Sequence, residues 1–396
     1  MKSYLDLVPQ YEKVHRKQSK MSRICIILAV FLVAVMFGLA DMYLQGITQK
    51  VMQENGDWHY QITSIDTKTS DLIAARPEVE VSGWHSTISA DAGYSISGQP
   101  IAISGLDEDV FGEIYLASLA EGKYPNAANE IAVSSVLKES NDLDLGSVID
   151  LTCPDGSTVS FSIVGFFDNP EKARLIVGSE QSVILAQEGF TTFISASNSP
   201  ASEKYIIQLS QHCDMSSTIE KIKSQYSLSD GQIEANMNLL NIEGQLAGKT
   251  GVNQIYSIAL ILSIIVMLTC ILMISSTLNS NVTQRTEFFG MLRCLGATKK
   301  QIMNFVRLEG LYWCKTAIPA GVALSIVVVW VTSAAMRKIS PQWFAYMPTW
   351  GISWISIAVS VLLGLLTVLL AARTPAKKAA KSSPLEAVSG NAQQTT

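Results

Sequence analysis

Four stretches of this chain run without a charged side chain for long enough to cross a lipid bilayer, and their spacing is uneven. Residues 24–40 are 17 uncharged residues held between Arg23 and Asp41. At about 1.5 Å per residue such a helix reaches roughly 26 Å, and its flanks complete a span. A second uncharged stretch covers residues 250–284, a third 316–336 and a fourth 352–372. A soluble protein would need four core helices of some 20 residues with no charge at all, an arrangement that water-exposed helices do not tolerate. Taken alone, the first run also suits a cleaved signal peptide, with a basic leader and a small-x-small site at Gly38, Leu39 and Ala40. The three later runs favour a retained helix.

Charge sets the orientation. Residues 1–23, 276–315 and 373–396 together hold 16 Lys/Arg against five Asp/Glu, whereas residues 41–253 hold 11 against 29. Basic short segments facing a large acidic domain place the N-terminus inside. The acidic excess by itself is also what a solvated surface requires. Five of the seven Trp residues, at 313, 330, 343, 350 and 354, lie in or beside the third and fourth runs, mostly near their ends. Indole rings favour that interfacial zone.

The expected fold is therefore an α+β membrane protein with four transmembrane helices in a 1+3 order and a large mixed α/β extracytoplasmic domain between the first two. The expected segments are a cytoplasmic amphipathic stretch (1–23), helix 1 (24–44), the extracytoplasmic domain (45–250) and helix 2 (252–276). A cytoplasmic helix-turn-helix (277–311), helix 3 (312–336), a short external loop (337–350), helix 4 (351–372) and a cytoplasmic tail (373–396) follow. The expected location is the cell membrane, crossed several times, with both termini cytoplasmic.

Within the external domain, residues 94–97, 101–104, 158–164 and 205–209 alternate or are β-branched, as strands are. A helical stretch ends near residues 72–75, before Pro77, and residues 217–226 form a short amphipathic helix with Ile219 and Ile222 on one side. No catalytic set emerges. His59, His85 and His212 are scattered, and no GxSxG pattern accompanies them. Six cysteines show no metal-ligand spacing; Cys153 and Cys213 share the external domain, so a disulfide between them stays open. Gly244, Gly248, Lys249 and Thr250 imitate a phosphate-binding loop, but three residues separate the glycines where four are needed. No metal or directly bound cofactor is expected, nor any nucleic acid.

The most specific stretch is residues 283–301, TQRTEFFGMLRCLGATKKQ. Phe288, Met291, Leu292 and Leu295 follow i, i+3, i+4, i+7 spacing and predict one apolar stripe on a helix. Gly296 is placed to end that helix in the left-handed region. Thr298 with Gln301 three residues on predicts a capping box for a second helix, whose apolar face (Ile302, Phe305, Val306) leads to Glu309. An amphipathic helix lying on lipid has the same pattern.

Here the sequence resembles the MacB/FtsX-like permease family of ABC transporters. The family's segment after the second span is matched by Gly290, Leu292, Arg293, Gly296, Ala297, Thr298 and Glu309. A second match comprises Glu121 to Pro125, Asn129 to Ser134, and Leu145, Gly146 and Ser147; a third is Ser383 to Val388. Phe288 departs from the pattern, standing where the family usually has an acidic residue, with Glu287 one position early. Phe289 replaces a smaller aliphatic residue and Thr298 a commoner Ser.

The resemblance implies a permease without its own ATPase site, with ATP used by a separate ABC ATPase subunit. It implies a second permease copy, identical or related, and a membrane-fusion or envelope partner. It assigns Glu287, Gly290, Met291, Leu292, Arg293, Gly296, Ala297 and Thr298 to the ATPase-coupling element. Export or extraction of a peptide, antibiotic or lipid-linked cargo is the expected role. Non-transporting mechanical control of a cell-envelope enzyme, such as a peptidoglycan hydrolase, is the alternative.

Overall fold

The computed structural model describes residues 16–197, 201–244 and 251–381. They fall into two compact units, Met1–Gly46 with Asn253–Thr396, and Ile47–Val252. Gly248, Lys249 and Thr250 of the loop-like motif, the Ser383 to Val388 match and the first 15 residues lie outside the described residues.

The first helix, α1 (Arg16–Asn55), is 40 residues long and continues well past the expected span. After it come β1 (Tyr60–Thr63), α2 (Thr67–Ala74), β2 (Val79–Ile88), β3 (Ser95–Ile96), β4 (Gln99–Pro100), β5 (Ala102–Leu106) and β6 (Glu121–Gly122). The chain then forms β7 (Glu130–Ser134), α3 (Ser135–Asn141), β8 (Val148–Thr152), β9 (Thr158–Phe167), α4 (Pro170–Val177), β10 (Ser182–Ala186) and α5 (Gln187–Ser197). The unit closes with β11 (Ser202–Leu209), α6 (Met215–Tyr226), β12 (Ile233–Ala235) and α7 (Met237–Ile242).

Among the described residues 12 strands join one mixed sheet, ordered β12-β1-β11-β2-β5-β10-β7-β9-β8-β3-β4, with β6 on β9. β5 with β10 and β7 with β9 run parallel; the other pairs are antiparallel. Period-two alternation sends successive side chains to opposite faces. Ile131, Val133, Val183 and Leu185 enter one core with Phe161, Phe166 and Phe190, while the intervening Ala132 and Ile184 enter another with Phe111 and Ile176. A third core gathers Tyr205, Ile207 and Leu209 of β11 with Ile219 and Ile222 of α6. Cys153 and Cys213 sit in or beside separate cores, and neither forms a disulfide.

Gly105 is a close-approach position, because a Cβ there would lie 2.2 Å from the Cβ of Phe190 on α5. Gly105→Ala is expected to lower stability by about 1–3 kcal/mol through overpacking, read as a fall in the thermal midpoint of this unit.

His85 on β2 is buried, and its tautomer follows from its partners. Ile176 O can only accept, so Nε2, 2.9 Å away, carries the proton, and Tyr115 Oη donates to Nδ1 at 2.8 Å. Burial pushes His85 down to about 4, and Lys204, opposite it in register, adds to the drop. A histidine kept neutral in the fold stabilises it above its unfolded value and loses that contribution as pH falls toward its folded value. The stability difference between wild type and His85→Phe should therefore grow as pH rises from about 4 to 6.5, by roughly 3 kcal/mol in total. A difference independent of pH, measured by chemical unfolding, would show His85 to be charged or exposed.

In the other unit, α8 (Gly251–Thr283), α9 (Thr286–Cys294), α10 (Lys299–Ile339), α11 (Pro341–Phe344), α12 (Trp354–Ala371) and α13 (Arg373–Ala380) follow in chain order. Among the described residues, four helical stretches are long and apolar enough to cross a membrane: Lys20–Asn55, Gln254–Thr283, Lys299–Ile339 and Trp354–Ala380. They share a core of Ile26 and Val30 from α1, Ile274 and Leu278 from α8, Trp313 and Ala317 from α10, and Val368 and Ala371 from α12. Small residues allow close approach: a Cβ on Gly321 would lie 2.9 Å from the Ile27 carbonyl oxygen, and one on Gly364 would lie 2.6 Å from Val30.

Candidate coupling site

The elbow between α8 and α10 is made by two local devices. Gly296, at φ +92°, follows the last turn of α9. Gly296 N–H donates to Arg293 O and Ala297 N–H donates to Leu292 O, both at 3.0 Å. That pair of bonds closes a helix end around a left-handed residue, a conformation that costs glycine little. Thr298 Oγ1 then accepts from Gln301 N–H at 3.3 Å, and Gln301 Oε1 accepts from Thr298 N–H at 2.8 Å. Donors at the start of α10 are thereby satisfied reciprocally. The expected second elbow helix is no separate element: from Lys299 it runs straight through the third apolar stretch to Ile339. The turn stops one helix, while the next continues through Pro319 in its interior and ends at Ile339, before Ser340 and Pro341.

A buried ion pair fixes the elbow's angle. Arg285 Nη1 donates to Glu309 Oε1 at 2.7 Å, with side-chain exposures of 4 % and 8 %. Arg285 is the residue before α9, so its inward aim sets the rotation of that helix. Phe289, four residues on, follows it inward and is 1 % exposed, packing with Phe305 and, from α13, Ala376 and Ala379.

The expected stripe is corrected accordingly. Phe288 and Leu292 are half-buried, but Met291 and Leu295 point outward, 54 % and 85 % exposed. Met291 lies about 200° around the helix from Phe289. Because the ion pair must be desolvated, it overrides the apolar periodicity. Gly290 is buried, Arg293 and Ala297 are half-buried, and Glu287, Gly296 and Thr298 are exposed.

What the elbow presents is an apolar groove of about 270 Å³, lined by Leu292, Leu295, Gly296, Ala297, Ile302 and Phe305. Exposed Lys299 and Lys300 begin α10 beside it. An exposed apolar patch with a charged rim marks a surface for another protein, a ligand or lipid. The elbow is also fastened to the other long helices. Lys378 Nζ on α13 donates to Thr283 Oγ1 at 3.2 Å, and Asn281 Nδ2 donates to Ser22 Oγ on α1 at 3.2 Å. Reading the sequence gave Glu309 no partner and gave α13 no role. The available signals were a carboxylate on an apolar helix face, which demands a cation, and alanines at 372, 376 and 379–380, which repeat at helical spacing.

Arg285→Ala or Glu309→Ala alone is expected to cost about 3–5 kcal/mol, because each strands a buried charge. Replacing both with apolar residues, as in Arg285→Met with Glu309→Leu, should restore most of that loss. Additive losses in thermal unfolding of the detergent-solubilised chain would show that the two charges do not interact.

The family model for the FtsX-like permease C-terminal matches residues 260–384, and that for the MacB-like periplasmic core domain matches residues 22–225. An uncharacterized ABC transporter permease protein of Mycobacterium tuberculosis is 29% identical over 129 residues, 31% of this chain and 15% of that protein. The chain thus matches only about 15% of the length of that curated relative. Among solved structures, the periplasmic region of MacB from Actinobacillus actinomycetemcomitans aligns at TM-score 0.37 and 10% identity, covering 52% of this chain and 100% of that one. The extracellular domain of the noncanonic ABC-type transporter YknZ from Gram-positive bacteria aligns at TM-score 0.33 and 8% identity, covering 45% of this chain and 98% of that one.

Proposed function

The chain belongs to the MacB/FtsX-like family of ABC transporter permeases, and we propose that it couples ATP hydrolysis by a separate ABC ATPase to movement of its sheet domain. The observation that carries this reading is the preformed elbow, which exposes Met291 and Leu295 to solvent while a buried ion pair holds its other face. A patch that docks a force-generating partner has to resist displacement. Otherwise the partner's movement would bend the elbow locally rather than travel further.

In this reading all four long helices span the cell membrane in the 1+3 order, with the elbow and both termini in the cytoplasm. Glu287, Gly290, Met291, Leu292, Arg293, Gly296, Ala297 and Thr298 form the coupling element; Met291 and Leu292, with neighbouring Leu295, make the apolar contact, and Lys299 and Lys300 beside them the basic rim. The 41-residue α10 joins the elbow to the third span without a break, which supplies the stiffness that transmission needs. α8 leaves Ile258, Ile261, Ile265 and Leu272 exposed, a face suited to lipid or to the second permease copy. The work done is export or extraction of a peptide, antibiotic or lipid-linked cargo. Mechanical control of a cell-envelope enzyme would use the same coupling step.

Two measurements test this. Cys294 is exposed on the elbow while Cys25, Cys153, Cys270 and Cys314 are buried. In a Cys213→Ser background, a membrane-impermeant thiol reagent should label Cys294 only after the cells are opened; labelling of intact cells would put the elbow outside and end the proposal. Leu295→Asp should lower ATPase co-purification and ATP-dependent activity by about tenfold, the effect of some 1.4 kcal/mol lost at a docking hot spot. Arg293→Glu should uncouple hydrolysis from that activity while the chain still inserts.

A further inference from the structure

Within the sheet domain, α7 is fastened at both ends to the residues that follow α1. At its start, Asn236 N–H donates to His59 O at 3.0 Å, and Asn236 Nδ2 donates to Gly56 O at 3.4 Å. At its end, Glu243 Oε2 lies 2.9 Å from His59 Nε2. Leu209 N–H donates to His59 Nδ1 at 2.8 Å. Nδ1 is therefore an acceptor, the ring proton sits on Nε2, and Nε2–H donates to Glu243. His59 is consequently neutral with both nitrogens occupied. It offers neither a lone pair to a metal ion nor a positive charge to a second carboxylate.

A second carboxylate is nonetheless present. Asp57, His59 and Glu243 each bring a polar atom within 4.8 Å of the other two. Asp57 Oδ2 accepts from Gln208 Nε2 at 2.7 Å. Glu243 Oε1 is buried without a hydrogen-bond partner among the described residues, on a side chain only 10 % exposed. The other charged group acting on Asp57 is Glu80, beside β2's start, again negative. Two adjacent carboxylates in a desolvated site cannot both stay ionised at low cost. A hydrogen-bond donor is what Glu243 Oε1 lacks.

We propose that Asp57 and Glu243 share one proton, carried by Asp57 and donated to Glu243 Oε1, and that this proton latches α7 onto the segment joining α1 to the sheet. Burial, with Glu243 and Glu80 adding to it, pushes the Asp57 carboxyl up to about 6, against the opposing pull of the Gln208 hydrogen bond. The folded state holds the proton more tightly than the unfolded chain. The latch's contribution to stability is thus complete below about pH 4 and is lost as pH rises through about 6. The device lies where the chain leaves α1 and shortly before it enters α8. It is independent of the elbow's role and would act on the sheet domain whatever the elbow binds.

The full chain in lipid nanodiscs tests it by infrared spectroscopy and amide hydrogen exchange. Wild type should show a protonated-carboxyl band that disappears with a midpoint near pH 6, and exchange in residues 236–243, corrected for intrinsic rates, should rise about tenfold between pH 5 and pH 7.5. Asp57→Asn keeps a donor without a titrating proton; it should abolish the band and hold exchange slow at both pH values. Glu243→Gln removes the second charge and should lower the midpoint by about one pH unit; it carries the test if Asp57→Asn does not fold. The proposal is overturned by any of three results: a band that survives Asp57→Asn, wild-type exchange that ignores pH, or tight Zn²⁺ or Mn²⁺ binding abolished by both substitutions.

Discussion

One arginine and one glutamate, buried side by side 24 residues apart in the chain, decide how the elbow end of the helical unit is built. A charge removed from water has to be paired, and the pairing geometry leaves little choice of rotation for the helix that carries Arg285. Phe289 is thereby turned into the cluster with Phe305 and the alanines of α13, and Met291 and Leu295 are turned away from it. The exposed groove is thus a consequence of the ion pair. A polar contact of modest net worth for stability specifies which side chains are available to a partner.

The same logic operates in the sheet domain with a different outcome. His85, His59, Asp57 and Lys172 are all withdrawn from solvent to some degree, and each is settled by specific partners. Lys172 Nζ donates to Gln53 O at 2.9 Å and to Tyr115 O at 2.6 Å, tying the end of α1 to the turn near Tyr115. Where an acceptor such as Ile176 O or a donor such as Leu209 N–H dictates the protonation state, the group is structural. Beside Asp57, by contrast, the hydrogen bonds around Glu243 leave its Oε1 without a donor among the described residues.

Much of the molecule was legible from neighbouring residues. Helix ends are written within a few positions of themselves, so Gly296 and the Thr298–Gln301 box specify the elbow's turn locally. Alternation marked the strands at residues 102–104, 158–164 and 205–209, which run further than expected, and overran β3 in 94–97, while Ile219 with Ile222 marked the buried side of α6. The stripe on α9 was misread because periodicity counts apolar residues and ignores which neighbour has to be paired. Phe288, Phe289, Met291, Leu292 and Leu295 cover an arc of about 160°, with Phe289 at one edge and Met291 at the other, and the pattern alone does not choose which edge is buried.

By itself, then, the sequence determined the apolar helices, the asymmetry of charge and the stop-and-start of the elbow, since each depends on contacts within one or two turns of chain. Tertiary structure alone decided the order of the 12-stranded sheet, the partner of Glu309, the use of α13 as a wall of the elbow, and the meeting of His59 with Glu243 across 184 positions. The reason is physical: a long-range pair is chosen by what else is buried beside it, and a neutral imidazole next to two carboxylates has no signature along the chain.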